Sequence, residues 1–327
     1  MSMEPKLGEF ELIRRFFAKR GRAPGDSGVV LGIGDDAAIL KIPKDTDLVA
    51  AVDTIVSGRH FLEDASPRSI GHRALAVNLS DIAAMGATPK WATLALTMPE
   101  VETSWLEEFS SGLLDLAGEH GVELVGGDTT RGPLTVSLQI LGFVPPGSAL
   151  RRDGANAGDL LVVSGTLGDA AAGLAFSKQR KATPTADMAA LIRRFDYPSP
   201  RVRLGQAARG VASAAMDLSD GLVGDLPKLA LASGLAAHVG VEKLPLSAAM
   251  LGAVDRQQSR NWALAGGDDY ELLLAIPPER FATLERSAHQ LNLTLTPIGE
   301  LRAGAGVRWS LNGEDFALEV SGYDHFG

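Results

Sequence analysis

The chain has 327 residues, of which 45% are hydrophobic and 22% are charged, and its formal net charge is −9. This length allows two domains of ordinary size or one large α/β unit. The absence of cysteine excludes disulfides, thiolate metal centres and thiol nucleophiles. The acidic balance argues against a nucleic acid as the main partner, because binding a polyanion depends on clustered Lys and Arg.

No run of roughly 18 apolar residues occurs, so we expect no membrane-spanning helix and no membrane partner. The first ten residues, MSMEPKLGEF, lack the basic segment and apolar core of a secretory signal. The sequence therefore predicts a cytoplasmic protein.

The first half of the chain mixes helical and strand-like patterns. Apolar residues recur at helical spacing in three segments, and glycine follows the second and third, as is common at helix ends. The predicted helices are 9–20, 67–86 and 103–120. Apolar runs rich in β-branched residues predict strands; these are AAILKIP at 37–43, DLVAAVDTIV at 47–56, WATLALTM at 91–98, GVELVGG at 121–127 and PLTVSLQILGFV at 133–144.

A stretch rich in Pro and Gly, PPGSALRRDGANAGD at 145–159, interrupts this periodicity. We place a domain boundary there, with residues 1–147 as the first domain and residues 148–327 as the second. Strands and helices alternate again beyond it, so the fold class is α/β or mixed α+β. The predicted strands are 160–165, 213–217, 236–241 and 270–276, with strand-like segments near the end, and the predicted helices are 168–178, 187–195, 201–213, 221–234 and 278–291.

Aspartates in glycine-rich loops or at predicted strand exits are the strongest chemical signal. In LGIGDDAAIL, two aspartates stand side by side. Each of the others follows an apolar run, except Asp220, which lies three residues after Asp217. These residues are Asp35, Asp36, Asp53, Asp128, Asp217 and Asp220.

Asp81 has a different setting. It lies in the middle of ALAVNLSDIAAMGA, a helical segment that is apolar on nearly every face, with no Lys or Arg within four residues. An unpartnered buried carboxylate is costly, so we expect it to be protonated, paired or bound to a metal ion. Because Mg²⁺ prefers oxygen ligands and commonly bridges carboxylates and substrate phosphates, the pattern predicts a magnesium–phosphate site.

Each position also has an ordinary structural explanation. Asp35 and Asp36 suit a surface turn, as do Asp268 and Asp269 in GGDDY. Ser219 and Asp220 suit the N-terminus of the helix predicted at 221–234. Recurrence of acidic clusters favours the metal site, and no P-loop sequence competes with it. A loose dinucleotide fingerprint at 32–37 is followed by a strand-like segment where that motif requires a helix.

Taken together, the motifs resemble one family. GEFELI, GIGDDAA, VDTIVSGRHF, ALAVNLSDIAAMGA, WATLALTMP, GGDTTRGPL, GFVPPGSALRR, DLSDGL, GGDDYEL and GYDHF occur in this order along almost the whole chain. The sequence resembles the thiamine-monophosphate kinases, within the aminoimidazole ribonucleotide synthetase-like superfamily. The resemblance implies a two-domain fold whose N-terminal domain forms a homodimer. It also implies Mg²⁺-dependent phosphorylation of thiamine monophosphate by ATP.

The resemblance also implies roles for individual residues. Six aspartates would bind several Mg²⁺ ions: Asp36, Asp53, Asp81, Asp128, Asp217 and Asp220. The nucleotide would contact Gly127, Asp128, Arg152 and Ser219. Thiamine monophosphate would contact His60, Asp268 and Tyr323. Two positions depart from the family pattern, since Val52 replaces a residue with a hydroxyl group and Asp268 replaces a glutamate.

The acceptor in such a reaction is a phosphate oxygen. A phosphate monoester has a second pKa of ~6, so at neutral pH it is already largely dianionic. We therefore expect no general base among the side chains, and direct in-line transfer without a phosphoenzyme. Two other classes stay open, a metal-dependent phosphohydrolase and a Ca²⁺-binding protein, although the second lacks an EF-hand loop. Within the superfamily, a selenophosphate synthetase would need a reactive cysteine, and an aminoimidazole ribonucleotide synthetase would carry other acceptor motifs.

Overall fold

The computed structural model describes residues 9–18, 28–179 and 183–322. The chain divides into two compact units. The first contains the described residues up to Ile82 together with Thr88–Pro146, and the second contains Ala83–Ala87 and the described residues from Gly147 onward. No helix in these described ranges is long and apolar enough to cross a membrane.

The first unit is built on a four-stranded sheet. The elements of this part of the chain, in order, are α1 (Glu9–Ile13), β1 (Val29–Leu31), β2 (Ile39–Leu40), β3 (Asp47–Val56), α2 (Pro67–Ala84), β4 (Thr88–Met98), α3 (Thr103–His120), β5 (Glu123–Arg131) and β6 (Thr135–Val144). A π-helix, Arg14–Ala18, follows α1. The strand order is β3-β6-β4-β5, with β4 and β5 parallel and the other pairs antiparallel, and β1 pairs with β2 separately.

Helices α2 and α3 pack unusually close together. A Cβ atom at Gly71 would lie 2.1 Å from the Phe109 carbonyl oxygen, and one at Gly112 would lie 1.9 Å from that of Arg68. Only glycine fits at either contact. The helix α3 ends at Gly121, which has a left-handed conformation with φ 65°, as predicted from its sequence.

Strand alternation gives the sheet of the first unit a buried and a more exposed side. Along β6, Val136 and Leu138 are buried, whereas Gln139 is exposed. Near the β1–β2 hairpin, Trp91 and Phe143 are buried with their rings edge to face at 5.1 Å. Residues of the hairpin pack against this pair.

The second unit contains a seven-stranded sheet. Its elements, in order, are β7 (Leu160–Ser164), α4 (Asp169–Lys178), α5 (Ala186–Asp196), α6 (Val202–Ala208), β8 (Ala214–Leu218), α7 (Leu222–Ala232), β9 (Leu235–Gly240), α8 (Ala248–Ala253), α9 (Arg256–Ala265), β10 (Glu271–Ile276), α10 (Pro278–Gln290), β11 (Leu295–Ala303), β12 (Gly306–Leu311) and β13 (Glu314–Asp315). The strand order is β13-β12-β9-β11-β7-β10-β8, and β12 pairs with β9 in parallel while the other pairs are antiparallel.

The core of the second unit lies between this sheet and α7. Leu226 and Leu229 of α7 pack with Leu273 of β10 and Val239 of β9, all of them buried. Every residue of β10 is buried. This strand lies between β7 and β8 and is hydrogen-bonded on both sides, so the positions of its two ends are fixed.

The mixed α/β class predicted from the sequence is confirmed. The strand predicted at 47–56 has the bounds of β3, but the strand predicted at 37–43 shortens to Ile39–Leu40. The helix predicted at 201–213 is also too long, because the backbone leaves the helical conformation at Arg209. Helices α8 and α9 were not predicted. The helix predicted at 9–20 forms α1 and the π-helix within the described residues.

Candidate active site

Asp53 and Asp81 lie close together in the first unit. Their carboxyl groups share a hydrogen bond, and burial raises the pKa of Asp53 although this hydrogen bond acts in the opposite direction. Two carboxylates side by side repel each other, and either a proton or a cation relieves this repulsion. The expectation that Asp53 ends a strand was wrong. It lies inside β3, where alternation directs its side chain to the same side as buried Ile55 and opposite to Val52.

Two other predicted residues of the first unit lie on β5. Gly127 has φ 152°, and a Cβ atom there would lie 1.9 Å from the Leu94 carbonyl oxygen. The backbone of β5 therefore approaches β4 at a point that only glycine permits. Asp128 follows, exposed and in register with Ala95 of β4. It also lies within a strand, not after one, because β5 continues to Arg131.

His60 and Asp36 have local partners. His60 lies shortly after β3, and its Nδ1 atom accepts a hydrogen bond of 3.1 Å from the backbone N–H of Val56, the last residue of that strand. This leaves Nε2 as the protonated ring nitrogen of the neutral imidazole. Asp36 is exposed between β1 and β2, and its N–H donates to Oδ1 of Asp35 at 2.8 Å. The Asp35–Asp36 contact is compatible with the surface-turn explanation of the loop between β1 and β2.

In the second unit, the end of β8 and the loop after it carry three predicted residues. Asp217 is buried at the end of β8, in register with Leu272. The backbone N–H groups of Ser219 and Asp220 donate to Oδ2 of Asp225 at 3.0 and 2.9 Å. Asp225 is itself buried, which raises its pKa although its hydrogen bond with Lys228 opposes this.

Asp220 also has a cationic partner that the sequence analysis missed. The Nζ atom of Lys228 donates to Asp220 at 2.7 Å and to Asp225 at 2.8 Å. Asp225 and Lys228 lie three residues apart on α7, a spacing that brings side chains together on a helix. That local spacing was the available signal.

A second loop, which precedes β10, is joined to the first through the backbone. The N–H of Asp268 donates to the Ser219 carbonyl at 2.8 Å, and that of Tyr270 donates to the Leu218 carbonyl at 2.9 Å. The Tyr270 hydroxyl donates to Oδ1 of Asp268 at 2.9 Å. The two loops therefore bring together four predicted residues from the metal, nucleotide and substrate sets: Asp217, Ser219, Asp220 and Asp268.

The second loop has a strained backbone. Asp268 and Tyr270 have φ values of 68° and 51°, in the left-handed region. This region costs non-glycine residues about 1–2 kcal/mol each, and it is rare for a residue as bulky as Tyr. Such strain persists where the surroundings determine the conformation, and it is frequent at functional sites.

Two buried carboxylates, Asp269 and Glu271, anchor this loop. Asp269 accepts hydrogen bonds from the N–H groups of Gly168 at 2.6 Å and Ala170 at 3.3 Å, at the start of α4. Burial raises its pKa to about 8, against the opposing effects of these N–H groups and of Arg194. The sequence analysis treated Asp269 as a turn residue and did not predict its burial.

Glu271 is fully buried among cationic and polar partners. It accepts hydrogen bonds from Arg194 at 3.0 Å, from Nε of Arg201 at 2.7 Å and from the Ser164 hydroxyl at 2.6 Å. Burial acts against the charge of Arg201, but the Glu271 carboxylate raises the pKa of this arginine. The start of β10 is thus fixed by charged hydrogen bonds from separate segments of the unit.

Arg152 and Tyr323 are the remaining predicted positions. Arg152 is exposed before β7, and its carbonyl accepts a hydrogen bond of 2.7 Å from the Ser233 hydroxyl. Tyr323 lies outside the described residues. Within the described parts of the chain, no three His, Asp or Glu side chains form a group that could hold a metal ion. The predicted metal ligands instead occur as the Asp53–Asp81 pair and as the neighbouring residues Asp217 and Asp220.

Family models match both parts of the chain. The model for AIR synthase related protein, N-terminal domain, matches residues 34–144, and the model for the C-terminal domain matches residues 156–311. The fold and the carboxylate-bearing loops therefore define an AIR synthase-related protein.

Individual relatives identify the family within this class of proteins. A thiamine-monophosphate kinase from Salmonella typhimurium is 47% identical over 321 residues, which cover 98% of each chain. The crystal structure of a thiamine-monophosphate kinase from Stenotrophomonas maltophilia is 46% identical with a TM-score of 0.87, covering 95% of this chain and 98% of that one. The structure of AaThiL complexed with AMPPCP and TMP is 34% identical with a TM-score of 0.78, covering 87% and 89%. The chain belongs to the thiamine-monophosphate kinase family, which confirms the resemblance.

Proposed function

We propose that this protein transfers the γ-phosphoryl group of ATP to thiamine monophosphate, giving ADP and thiamine diphosphate. The observation that carries the proposal is the 47% identity to a thiamine-monophosphate kinase across 98% of both chains. The complex of AaThiL with AMPPCP and TMP supports an ATP-like nucleotide and thiamine monophosphate as the two substrates. The reaction would supply thiamine diphosphate in the cytoplasm.

Mg²⁺ fits the residues of the first unit. Asp53 and Asp81 place two carboxyl groups side by side, and Mg²⁺ prefers such oxygen ligands. Several Mg²⁺ ions would be held, in the first unit by Asp53 and Asp81 with Asp36 and Asp128, and in the second unit by Asp217 and Asp220. Mg²⁺ would supply the positive charge that two phosphorylated substrates need in an acidic protein, since like charges ~4 Å apart repel by roughly 4 kcal/mol at an effective dielectric constant near 20.

The residues of the chain would bind and orient the substrates. Gly127 and Asp128 on β5 would contact the nucleotide, as would Arg152 and Ser219. His60 would present its Nε2–H, and Asp268 its carboxylate, to thiamine monophosphate, with Tyr323 completing this set. Because the acceptor phosphate is already dianionic, positioning is the main requirement and no general base is assigned.

The direct test is ADP formation by the full chain with Mg²⁺ and ATP, in the presence of thiamine monophosphate, thiamine, an aminoimidazole ribonucleotide precursor or no acceptor. We expect ADP only with thiamine monophosphate. ADP formation without an acceptor would instead identify a phosphohydrolase, and tight Ca²⁺ binding without ATP turnover would identify a Ca²⁺-binding protein. With a chiral γ-phosphate, inversion of configuration supports in-line transfer, whereas retention indicates a phosphoenzyme.

We further propose that the first unit forms a homodimer through the outer side of its sheet. Leu48 and Val52 are 46% and 63% exposed on the same side of β3, which is an edge strand. Apolar side chains aligned on one side of a sheet are typical of an interface. Val52→Glu should convert the dimer to a monomer by light scattering, whereas Leu231→Glu, at a position 82% exposed on α7, should not. A monomeric parent chain would overturn this assignment.

A further inference from the structure

Asp269 is a buried carboxylate to which the proposed reaction gives no role. We propose that Asp269 is a positioning residue, which holds Asp268 in the orientation that thiamine monophosphate requires. This inference rests on the proposed function, because Asp268 contacts the substrate only if that function is correct. Three structural links within the second unit support this role. The first joins Asp269 to α4, the second joins Asp269 to the backbone of its neighbours, and the third joins Tyr270 to Asp268.

The first link anchors Asp269 to the start of a ten-residue helix. Its two carboxylate oxygens accept hydrogen bonds from the N–H groups of Gly168 and Ala170 at 2.6 and 3.3 Å. Such N–H groups have no partner within the helix, and the oxygen atoms of the Asp269 carboxyl group accept their hydrogen bonds. The side chain of Asp269 is 3% exposed, so no water can replace it readily. One residue of the loop is therefore fixed to α4.

The second link passes to the residues on either side. Asp268 and Tyr270 both have left-handed backbone conformations, which the chain would leave if it were free to relax. Their N–H groups donate to the carbonyls of Ser219 and Leu218. Asp269 is held in place between Asp268 and Tyr270, so the side chains of these two residues project from a fixed stretch of backbone. Replacing the carboxylate at 269 would release the turn and change the direction of the side chain at 268.

The third link sets the carboxylate of Asp268 itself. The buried Tyr270 ring places its hydroxyl 2.9 Å from Oδ1 of Asp268. Asp268 has a single methylene between its backbone and its carboxylate, so this carboxylate stays close to its own backbone. The orientation of that carboxylate is therefore directly determined by the backbone and by Tyr270.

The test compares two helix-capping aspartates of the full-length protein, Asp269→Asn and Asp255→Asn. Asp255 is exposed and accepts hydrogen bonds from the N–H groups of Gln257 and Gln258 at 2.9 Å, at the far end of α9 from this loop. We expect Asp269→Asn to raise the KM for thiamine monophosphate about tenfold or more, and to change the KM for ATP less than about twofold. Asp255→Asn should leave both constants unchanged. Equal effects on the two substrates, or no effect of Asp269→Asn, would overturn the proposal.

A second variant covers the case in which Asp269→Asn does not fold. Tyr270→Phe keeps the buried ring and removes only the hydroxyl, and it should raise the KM for thiamine monophosphate about three- to tenfold. In an Asp268→Ala background the same change should have no further effect, because the group that Tyr270 orients is gone. An unchanged KM in Tyr270→Phe would overturn the third link. Absence of acceptor-dependent ADP formation by the parent chain would instead reject the proposed function.

Discussion

Asp53 of β3 and Asp81 of α2 share a hydrogen bond between their carboxyl groups. Two acidic side chains at this separation repel each other when both are ionised, so the structure holds them together at a cost. Burial, which raises the pKa of Asp53, adds to that cost. A divalent cation between the two carboxyl groups would relieve both effects, and this is why we propose the pair as part of the magnesium site.

Asp81→Asn should remove thiamine-monophosphate-dependent turnover while leaving the fold intact. The amide has the shape of the carboxyl group and can hydrogen-bond with Asp53 in either ionisation state. We expect an unfolding midpoint within about 2 °C of that of the parent chain. Mg²⁺ should raise that midpoint less in the variant than in the parent, because a ligand stabilises the folded state by RT ln(1 + [L]/Kd), which is smaller when the affinity is lower.

The control for this prediction is Asp115→Asn, which changes an exposed aspartate of α3 that pairs with Arg68. It should leave turnover and the Mg²⁺-dependent shift unchanged. Activity close to that of the parent chain in Asp81→Asn at limiting Mg²⁺ would show that Asp81 does not bind the ion.

Gly127→Ala should destabilise the first unit, whereas Gly126→Ala should not. A Cβ atom at 127 would meet the Leu94 carbonyl oxygen at 1.9 Å, but one at 126 would lie 3.8 Å from the nearest atom, Cγ2 of Thr93. The first substitution must displace β4 or β5, and we expect a loss of about 2–3 kcal/mol in the free energy of unfolding, against less than ~0.5 kcal/mol for the second. Urea denaturation measures both, and equal losses would contradict the described contact.

Glu271→Gln should be strongly destabilising because it leaves Arg194 and Arg201 without their buried counter-charge. Breaking one side of a buried ion pair costs about 3–5 kcal/mol. Glu300→Gln removes the partner of Arg302 at the surface, where the carboxylate side chain is 41% exposed, and should cost less than about 1 kcal/mol. Chemical denaturation of the two variants tests the contrast. Similar small losses would mean that the Glu271 network contributes little to stability.

The stability of the protein should depend on pH through Asp269. Burial raises the pKa of this carboxyl group from 3.8 to about 8, with Asp169 adding to the effect and Arg194 opposing it. Between these two values the folded chain holds a proton that the unfolded chain has lost. Stability from this source is therefore complete below about pH 4 and falls as the pH rises toward 8.

Thermal melting of the parent chain and of Asp269→Asn across this window isolates the effect. The difference in midpoint between the two proteins should shrink as the pH rises toward 8, and then stay constant. The other carboxyl groups with raised pKa values, Asp53 and Asp225, are present in both proteins, so they cancel in the difference. A difference that is independent of pH would show that Asp269 stays ionised in the folded chain.

Much of the fold could be predicted from the sequence because its strands are apolar runs bounded by turn residues. The bounds of β3 were predicted correctly, as was the end of α3 at Gly121. Helix α9 was missed because its sequence, RQQSRNWALA, is polar and short. Its N-cap, Asp255, was a signal that could have identified it.

Candidate residues of the site could be proposed from the sequence, but the hydrogen bonds that hold the site together could not. An apolar run before Asp217 and the spacing of Asp220 after it were the signals from the residues, whereas Asp268 was predicted only through the family resemblance. The partners of Glu271, by contrast, lie 77 and 70 positions earlier in the chain, at Arg194 and Arg201. No local pattern connects residues at such distances, since their proximity is created only when β10 pairs with its neighbours.

The two loops of the second unit are joined by main-chain atoms, through hydrogen bonds donated by the backbone N–H groups of positions 268 and 270. The frame is therefore largely independent of the side chains that project from it at 219, 220 and 268. Substitution of Asp268, the one of these residues proposed to contact thiamine monophosphate, could change which phosphorylated molecule is accepted without rebuilding the scaffold. Libraries aimed at new acceptors would best begin there, with the anchors beneath left untouched.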